Sequence, residues 1–222
     1  MEDKIRYPEV DDYLRSTIKR ETGFLKELED YAQCNHVPIV SPESAALLKV
    51  LIKLHKPKRI LEAGTAIGYS AIVMAQAMDE GGIIDTIEID DEMAEAARRN
   101  ISAIALDGRI RVLSGDALEV MQCLTTSYDM IFLDAAKGQY GEYLLEVFRL
   151  LNKDGLLVSD NVLYKGLVIQ DEPIPHKHRT IAVKLREYLD RLCRDDRLET
   201  TIIPIGDGMA VSVRKGENKC IK

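Results

Sequence analysis

No pair among the four cysteines is spaced as a metal or disulfide framework requires: Cys34, Cys123, Cys193 and Cys220 lie far apart and none forms a C-x-x-C. Neither a zinc site nor a disulfide scaffold is indicated, and a reducing, cytoplasmic setting fits. Also missing is any apolar run of bilayer length, and the N-terminal "MEDKIRYPEVDDYL" is polar and acidic where a secretory leader is basic and then apolar. A soluble protein with no membrane partner is expected. Positive charge is in deficit, with 30 Lys and Arg against 37 Asp and Glu for a formal net charge of -7. The acidic excess falls in residues 61–164, while both flanks are slightly basic. Nonspecific binding to DNA or RNA depends on neutralising phosphates and is disfavoured, although a basic rim around one pocket is compatible with the total. Repeats, low-complexity segments and interdomain linkers are absent too. The 222 residues, 46% of them hydrophobic, therefore read as one domain.

What is present is a rhythm. Val10, Leu14, Ile18, Phe24, Leu25, Leu28 and Tyr31 fall at helical intervals, predicting two amphipathic helices broken near Gly23. "SPESAALLKVLIKLHKP" opens on a capping Ser41 with Pro42 at the first helical position and stops before Pro57, which predicts a third. Residues 1–56 thus form an N-terminal helical flank, and 57–222 the core. In that core the strand candidates "RILEA", "IDTIEI", "IRVLSG", "MIFLD" and "GLLVSDN" alternate with helical periodicity over 68–79, 91–105, 117–124 and 139–151. Alternation of this kind predicts a Rossmann-like α/β fold, a doubly wound sheet, mostly parallel, with helices on both faces. A last helix over 177–194 precedes "LETTIIPIGDGMAVSVRK", two β-rich runs around Gly206-Asp207-Gly208. These read as an antiparallel hairpin at one edge, bringing the sheet to seven strands.

Ligands of open α/β sheets sit beyond the carboxyl ends of the strands, where strand order reverses. The first such loop, "LEAGTAIGYS", sets Glu62, Gly64 and Gly68 between a strand and a helix. Glycines there let the backbone approach a ligand, but the loop is not G-x-G-x-x-G, so the dinucleotide fingerprint is missing. Glu62 would repel a pyrophosphate and tolerate a sulfonium with its amino group. Glu88, ending the second strand, is placed to accept bonds from a ribose, and "SGDA" puts Asp116 and Ala117 where an adenine edge could be read. Together the three loops suggest S-adenosylmethionine (SAM).

The next two strands end in "MIFLDAAKGQY" and "LLVSDN". Asp134, Asp160 and Asn161 there are three hard oxygen donors with no histidine or thiol nearby, a set suited to Mg²⁺ or another divalent cation. The bland alternative is a pair of helix-capping aspartates. Lys137, three residues beyond Asp134, is the catalytic candidate: close to such a cation it serves as proton acceptor or as electrostatic partner of an oxyanion.

The segments "ILEAGTAIGYSA", "IEID", "GDAL", "FLDAAKGQY" and "SDNVLYKGLV" resemble the cation-dependent class I O-methyltransferases that include catechol and caffeoyl-coenzyme A methyltransferases. The likeness runs from about His36 to Val213. It implies metal ligation by Asp134, Asp160 and Asn161, a role for Lys137, cofactor contacts at Val40, Glu62, Gly64, Ser70, Glu88, Asp116, Ala117 and Asp134, and a homodimer. Within that group "VPIV", "GTAIGYSA", "DAAKGQY", "DNVLYKGLV" and "IIPIGDG" are most similar to bacterial tRNA 5-hydroxyuridine methyltransferases. That narrower likeness implies an anticodon-loop base as acceptor. Absence of tryptophan, and Ala135-Ala136 where catechol enzymes carry bulky walls, agree with a large substrate. The RNA contacts would come from Lys165, Lys177 and Arg179, beside His176 and His178. Two other readings stand beside it, a small catechol-like or hydroxycinnamoyl acceptor and a noncatalytic cofactor- or RNA-binding module.

Overall fold

The computed structural model describes residues 7–169 and 174–216; Cys220 and part of the loop 163–176 lie outside them. Seven strands form one sheet: β1 (Arg59–Ala63), β2 (Ile83–Glu88), β3 (Ile110–Ser114), β4 (Tyr128–Leu133), β5 (Leu151–Ser159), β6 (Leu198–Ile203) and β7 (Met209–Arg214). Their order is β3-β2-β1-β4-β5-β7-β6. Neighbours from β3 through β5 pair in parallel. β7 pairs antiparallel with both β5 and β6, so it alone runs against the rest. This is the expected fold, with the hairpin's second strand inserted inside the sheet and its first strand left at the edge.

Eight α-helices accompany the described strands: α1 (Pro8–Thr17), α2 (Phe24–Asn35), α3 (Pro42–His55), α4 (Tyr69–Ala77), α5 (Asp91–Ala103), α6 (Ala117–Cys123), α7 (Tyr140–Leu150) and α8 (His176–Arg194). The local signals act as expected: Ser41 accepts from the Ser44 amide and Pro42 opens α3, while Asp90 and Asp116 cap α5 and α6. α4 is the informative one. Every residue in it but Gln76 is buried, so it has no solvent face and needs cover on its outer side. Leu25, Leu28 and Ala32 of α2 and Leu48 and Ile52 of α3 provide that cover, in one core cluster with α4 and one face of the sheet. Leu48 is 0% exposed, and burial of such a side chain contributes about 1.5–3 kcal/mol. The opposite face packs against α6, α7 and α8.

One boundary differs from the sequence reading. β5 begins at Leu151, directly after α7, rather than at Gly155. The early residues pair with β4 out of step, Leu151 with Tyr128 and then Leu156 with Met130. The Asn152 side chain donates to Asp129 Oδ1 at 2.8 Å, and Asp154 takes φ 61, so this polar run is held as a bulge against β4 and does not form a free turn.

Candidate active site

Sheet hydrogen bonding continues one residue past the strand ends. The Gly64 amide donates to Ile87 O at 3.0 Å, Gly115 to Glu88 O at 2.8 Å, Asp134 to Ala63 O at 2.8 Å and Asp160 to Leu133 O at 3.0 Å. Each loop therefore leaves the sheet level with its neighbour, and all open on the same edge. Between β1 and β4 the strand order turns back. There lies a cavity of about 380 Å³, within the range of small-molecule sites.

Of the residues singled out from the sequence, Gly64, Ser70, Glu88, Asp116, Ala117, Asp134, Lys137 and Asn161 line this cavity. Val40, Glu62 and Asp160 do not line it; each is buried. Lys165, Lys177 and Arg179 do not line it either. Lys177 and Arg179 are exposed in the first turn of α8, and the Lys165 amide is bonded to the Asp207 carboxylate.

Several expected ligand-binding groups are already occupied within the protein. Glu88 Oε2 accepts from the Thr65 and Ala66 amides at 3.1 and 2.7 Å, and Oε1 from Asp90 at 3.0 Å, which shapes the glycine loop beside the cavity. Asp116 Oδ1 caps α6 through Leu118 and Glu119. Gly64 answers a steric need: at φ +101, a Cβ on it would lie 2.2 Å from the Asp134 carbonyl oxygen. The tips of β1 and β4 approach this closely because that residue has no side chain.

Electrostatically the site is built around buried carboxyls. Burial pushes Asp134 above the usual carboxylate range, helped by the charge of Asp160, while Lys137 acts in the opposite direction. Burial raises Asp160 as well, against the Asn161 amide, which donates to Oδ1 at 2.7 Å, and against Lys137. Lys137 thus sits with two carboxyls whose ionisation it favours. Behind them, burial pushes Glu62 up to about 7, although the Ser70 hydroxyl and the Thr86 hydroxyl, which donates to Oε2 at 2.5 Å, favour its charged form. Glu62 Oε1 has no hydrogen-bond partner among the described residues.

The Glu62 carboxyl carries a testable pH signature. Its folded value of about 7 exceeds the usual 4.5, so the native state holds this proton more tightly than the unfolded chain does. Stability from this group is complete below about pH 4.5 and declines as the pH rises through 7, by about 3 kcal/mol in all. Glu62→Gln, which keeps an oxygen for Thr86, should flatten that decline in cofactor-free protein and raise Tm at pH 8. Thermal melts across pH 5 to 8 with unaltered slope would show that Glu62 does not titrate there.

The sequence reading missed part of the cavity wall. Pro38 and Ile39, between α2 and α3, line it, as do Tyr69, Ile89, Met93 and Tyr143. The Tyr69 hydroxyl donates to Glu29 of α2 at 2.7 Å, so the N-terminal flank reaches the site. Ile89 had a readable signal, a large apolar residue one place beyond the acidic end of β2; it is 69% exposed. The others come together only through folding.

The O-methyltransferase family profile matches residues 15–215. A catechol O-methyltransferase from Niastella koreensis is 32% identical over 185 residues, covering 79% of this chain and 82% of its own. An Arabidopsis thaliana relative whose name suggests caffeoyl-CoA as its substrate is 30% identical over 208 residues, 90% of this chain and 89% of its own. Among solved structures, the O-methyltransferase TomG of Streptomyces achromogenes, involved in tomaymycin synthesis and solved with SAM, superposes with TM-score 0.82 at 28% identity, over 97% of this chain and 100% of its own.

Two expectations are overturned by these findings. The tRNA anticodon loop is overturned as acceptor: the relatives carry names of small-molecule methyltransferases, and the basic residues assigned to RNA stand off the cavity. With it goes the RNA-binding role of Lys165, Lys177 and Arg179. Metal binding is corrected as well, since among the described residues no three His, Cys, Asp or Glu side chains group as a cation site. Asp134, Asp160 and Asn161 amount to two carboxyls and one amide. Finally, among the described residues no helix is long and apolar enough to cross a membrane.

Proposed function

We propose, from the premise that this chain belongs to the O-methyltransferase family, that its SAM-dependent methyl transfer is directed to a hydroxyl of a small catechol-like or hydroxycinnamoyl acceptor. The observation that carries this reading is the composition of the cavity at the strand ends. One side offers Gly64, Ser70, Glu88, Asp116 and Ala117 to a nucleoside cofactor; the other offers Asp134, Lys137 and Asn161 to a polar acceptor. Pro38, Ile39 and Tyr143 wall the space between, apolar surface that suits a flat aromatic ring. As the acceptor hydroxyl gives its proton to solvent and its oxygen takes the methyl group from the sulfonium, leaving S-adenosylhomocysteine, the Lys137 ammonium holds the negative charge that develops on that oxygen. Placement in the cytoplasm belongs to this reading too, supported by free thiols at Cys34, Cys123 and Cys193.

The test is methyl transfer from radiolabelled SAM to catechol and to caffeoyl-CoA, with tRNA as comparison. Transfer to either small acceptor and none to tRNA is expected; label in neither small acceptor would overturn the assignment.

A further inference from the structure

Tyr140 is fully buried, 0% exposed, and opens α7 directly after the turn that carries Lys137. Its hydroxyl lies 3.1 Å from Leu133 O and 3.2 Å from Asp160 O. A phenol has one proton to donate, so the two carbonyls share it in a three-centre bond. These carbonyls belong to the last residue of β4 and the first residue beyond β5. Leu133 precedes Asp134, and its carbonyl also accepts the Asp160 amide. One hydroxyl therefore ties together the tips that carry both aspartates and the turn that carries Lys137. Burial raises the phenol's pKa well above its ordinary value, and the charges of Asp134 and Asp160 raise it further, so the group keeps its proton. The ring is held from behind by Tyr188, edge-on at 5.4 Å, whose own hydroxyl bonds Ser159 Oγ at 2.5 Å.

We infer that Tyr140 is a positioning residue for methyl transfer, fixing the spacing of Asp134 and Asp160 and the placement of Lys137 without touching substrate or cofactor. The inference rests on the function proposed above for those three residues. Packing alone does not account for the hydroxyl, since a phenylalanine ring would fill the same space. Its polar atom serves the two strand tips and no other group among the described residues.

Tyr140→Phe keeps the ring and removes the clasp. In the full chain, kcat for the small acceptor should fall at least about tenfold, because sub-ångström displacement of reacting groups is costly. KM and SAM affinity should stay within about twofold, since the cavity walls are unchanged. Tyr188→Phe is the control: it removes an equally buried hydroxyl from the adjacent ring, one that bonds the Ser159 side chain but neither of the two carbonyls held by Tyr140. It should lower Tm comparably and leave kcat within about twofold. Equal kcat losses in both variants, or none in Tyr140→Phe, overturn the inference. Should wild-type protein methylate no small acceptor, the functional reading fails separately, and amide exchange at Asp160 decides the clasp. Faster exchange in Tyr140→Phe than in Tyr188→Phe supports it, and equal rates refute it.

Discussion

Lys137→Ala should lower kcat for the small acceptor by about 10²–10³-fold, the usual effect of removing one charge-stabilising group from an active site. Cofactor affinity should remain within about twofold. Lys137 lies at the acceptor end of the cavity and, among the described residues, is the only lysine or arginine in its lining. Both Asp134 and Asp160 are held toward their charged forms by it. An oxyanion forming beside two carboxyls would be repelled, so one fixed ammonium decides the local sign. Lys137→Arg restores the charge in a different shape and should recover only part of the rate. Rapid-quench kinetics, with SAM binding by calorimetry, separate the two quantities. Wild-type kcat in the alanine variant would remove Lys137 from the chemistry.

Gly64→Ala should have the largest effect on the fold. Its Cβ would lie 2.2 Å from Asp134 O and 2.7 Å from the Asp134 carbonyl carbon, both main-chain atoms that cannot turn aside. Overpacking costs about 1–3 kcal/mol and a non-glycine residue at unfavourable positive φ about 1–3 more. In a domain of this size, the sum corresponds to a fall in Tm of roughly 4–24 °C. β1 and β4 would also be forced apart at the mouth of the cavity, so SAM binding should weaken with stability. Gly23→Ala separates the two costs, since Gly23 also has positive φ (+60) but nothing within 4 Å of an added Cβ. It should show only the backbone part. Equal Tm losses in both variants would mean that contact with Asp134 costs nothing.

The sheet was legible because each parallel strand is a short apolar run between helices of clear period, as in "MIFLD", and because Ser41, Asp90 and Asp116 cap helices by local chemistry. Residues next to strand ends were legible for the same reason: once the sheet is parallel, Gly64, Glu88, Asp116 and Asp134 must share an edge. Depth was not legible. Glu62 and Asp160 sit one or two positions from residues that line the cavity, yet are 0% and 1% exposed, since they lie that much deeper beneath the sheet edge. Substrate size was misread from Ala135 and Ala136, which look like an unwalled slot. The walls come from Pro38 and Ile39, far off in sequence, and from Tyr143 on α7. Lys165, Lys177 and Arg179 appear clustered along the chain, but the 3₁₀ turn Tyr164–Ile169 and the start of α8 carry them to positions outside the cavity.

β7 has a bearing on how the protein is made. It pairs on both sides, with β5 and with β6, although it is translated after either of them. While the ribosome is still adding residues before Met209, β5 shows a bare main-chain edge and β6 has nothing to dock on. Nascent chains in that interval expose an unsatisfied strand, the kind of surface that recruits chaperones or a neighbouring chain. A message truncated ahead of Met209 would therefore yield a sticky polypeptide in place of a smaller working enzyme.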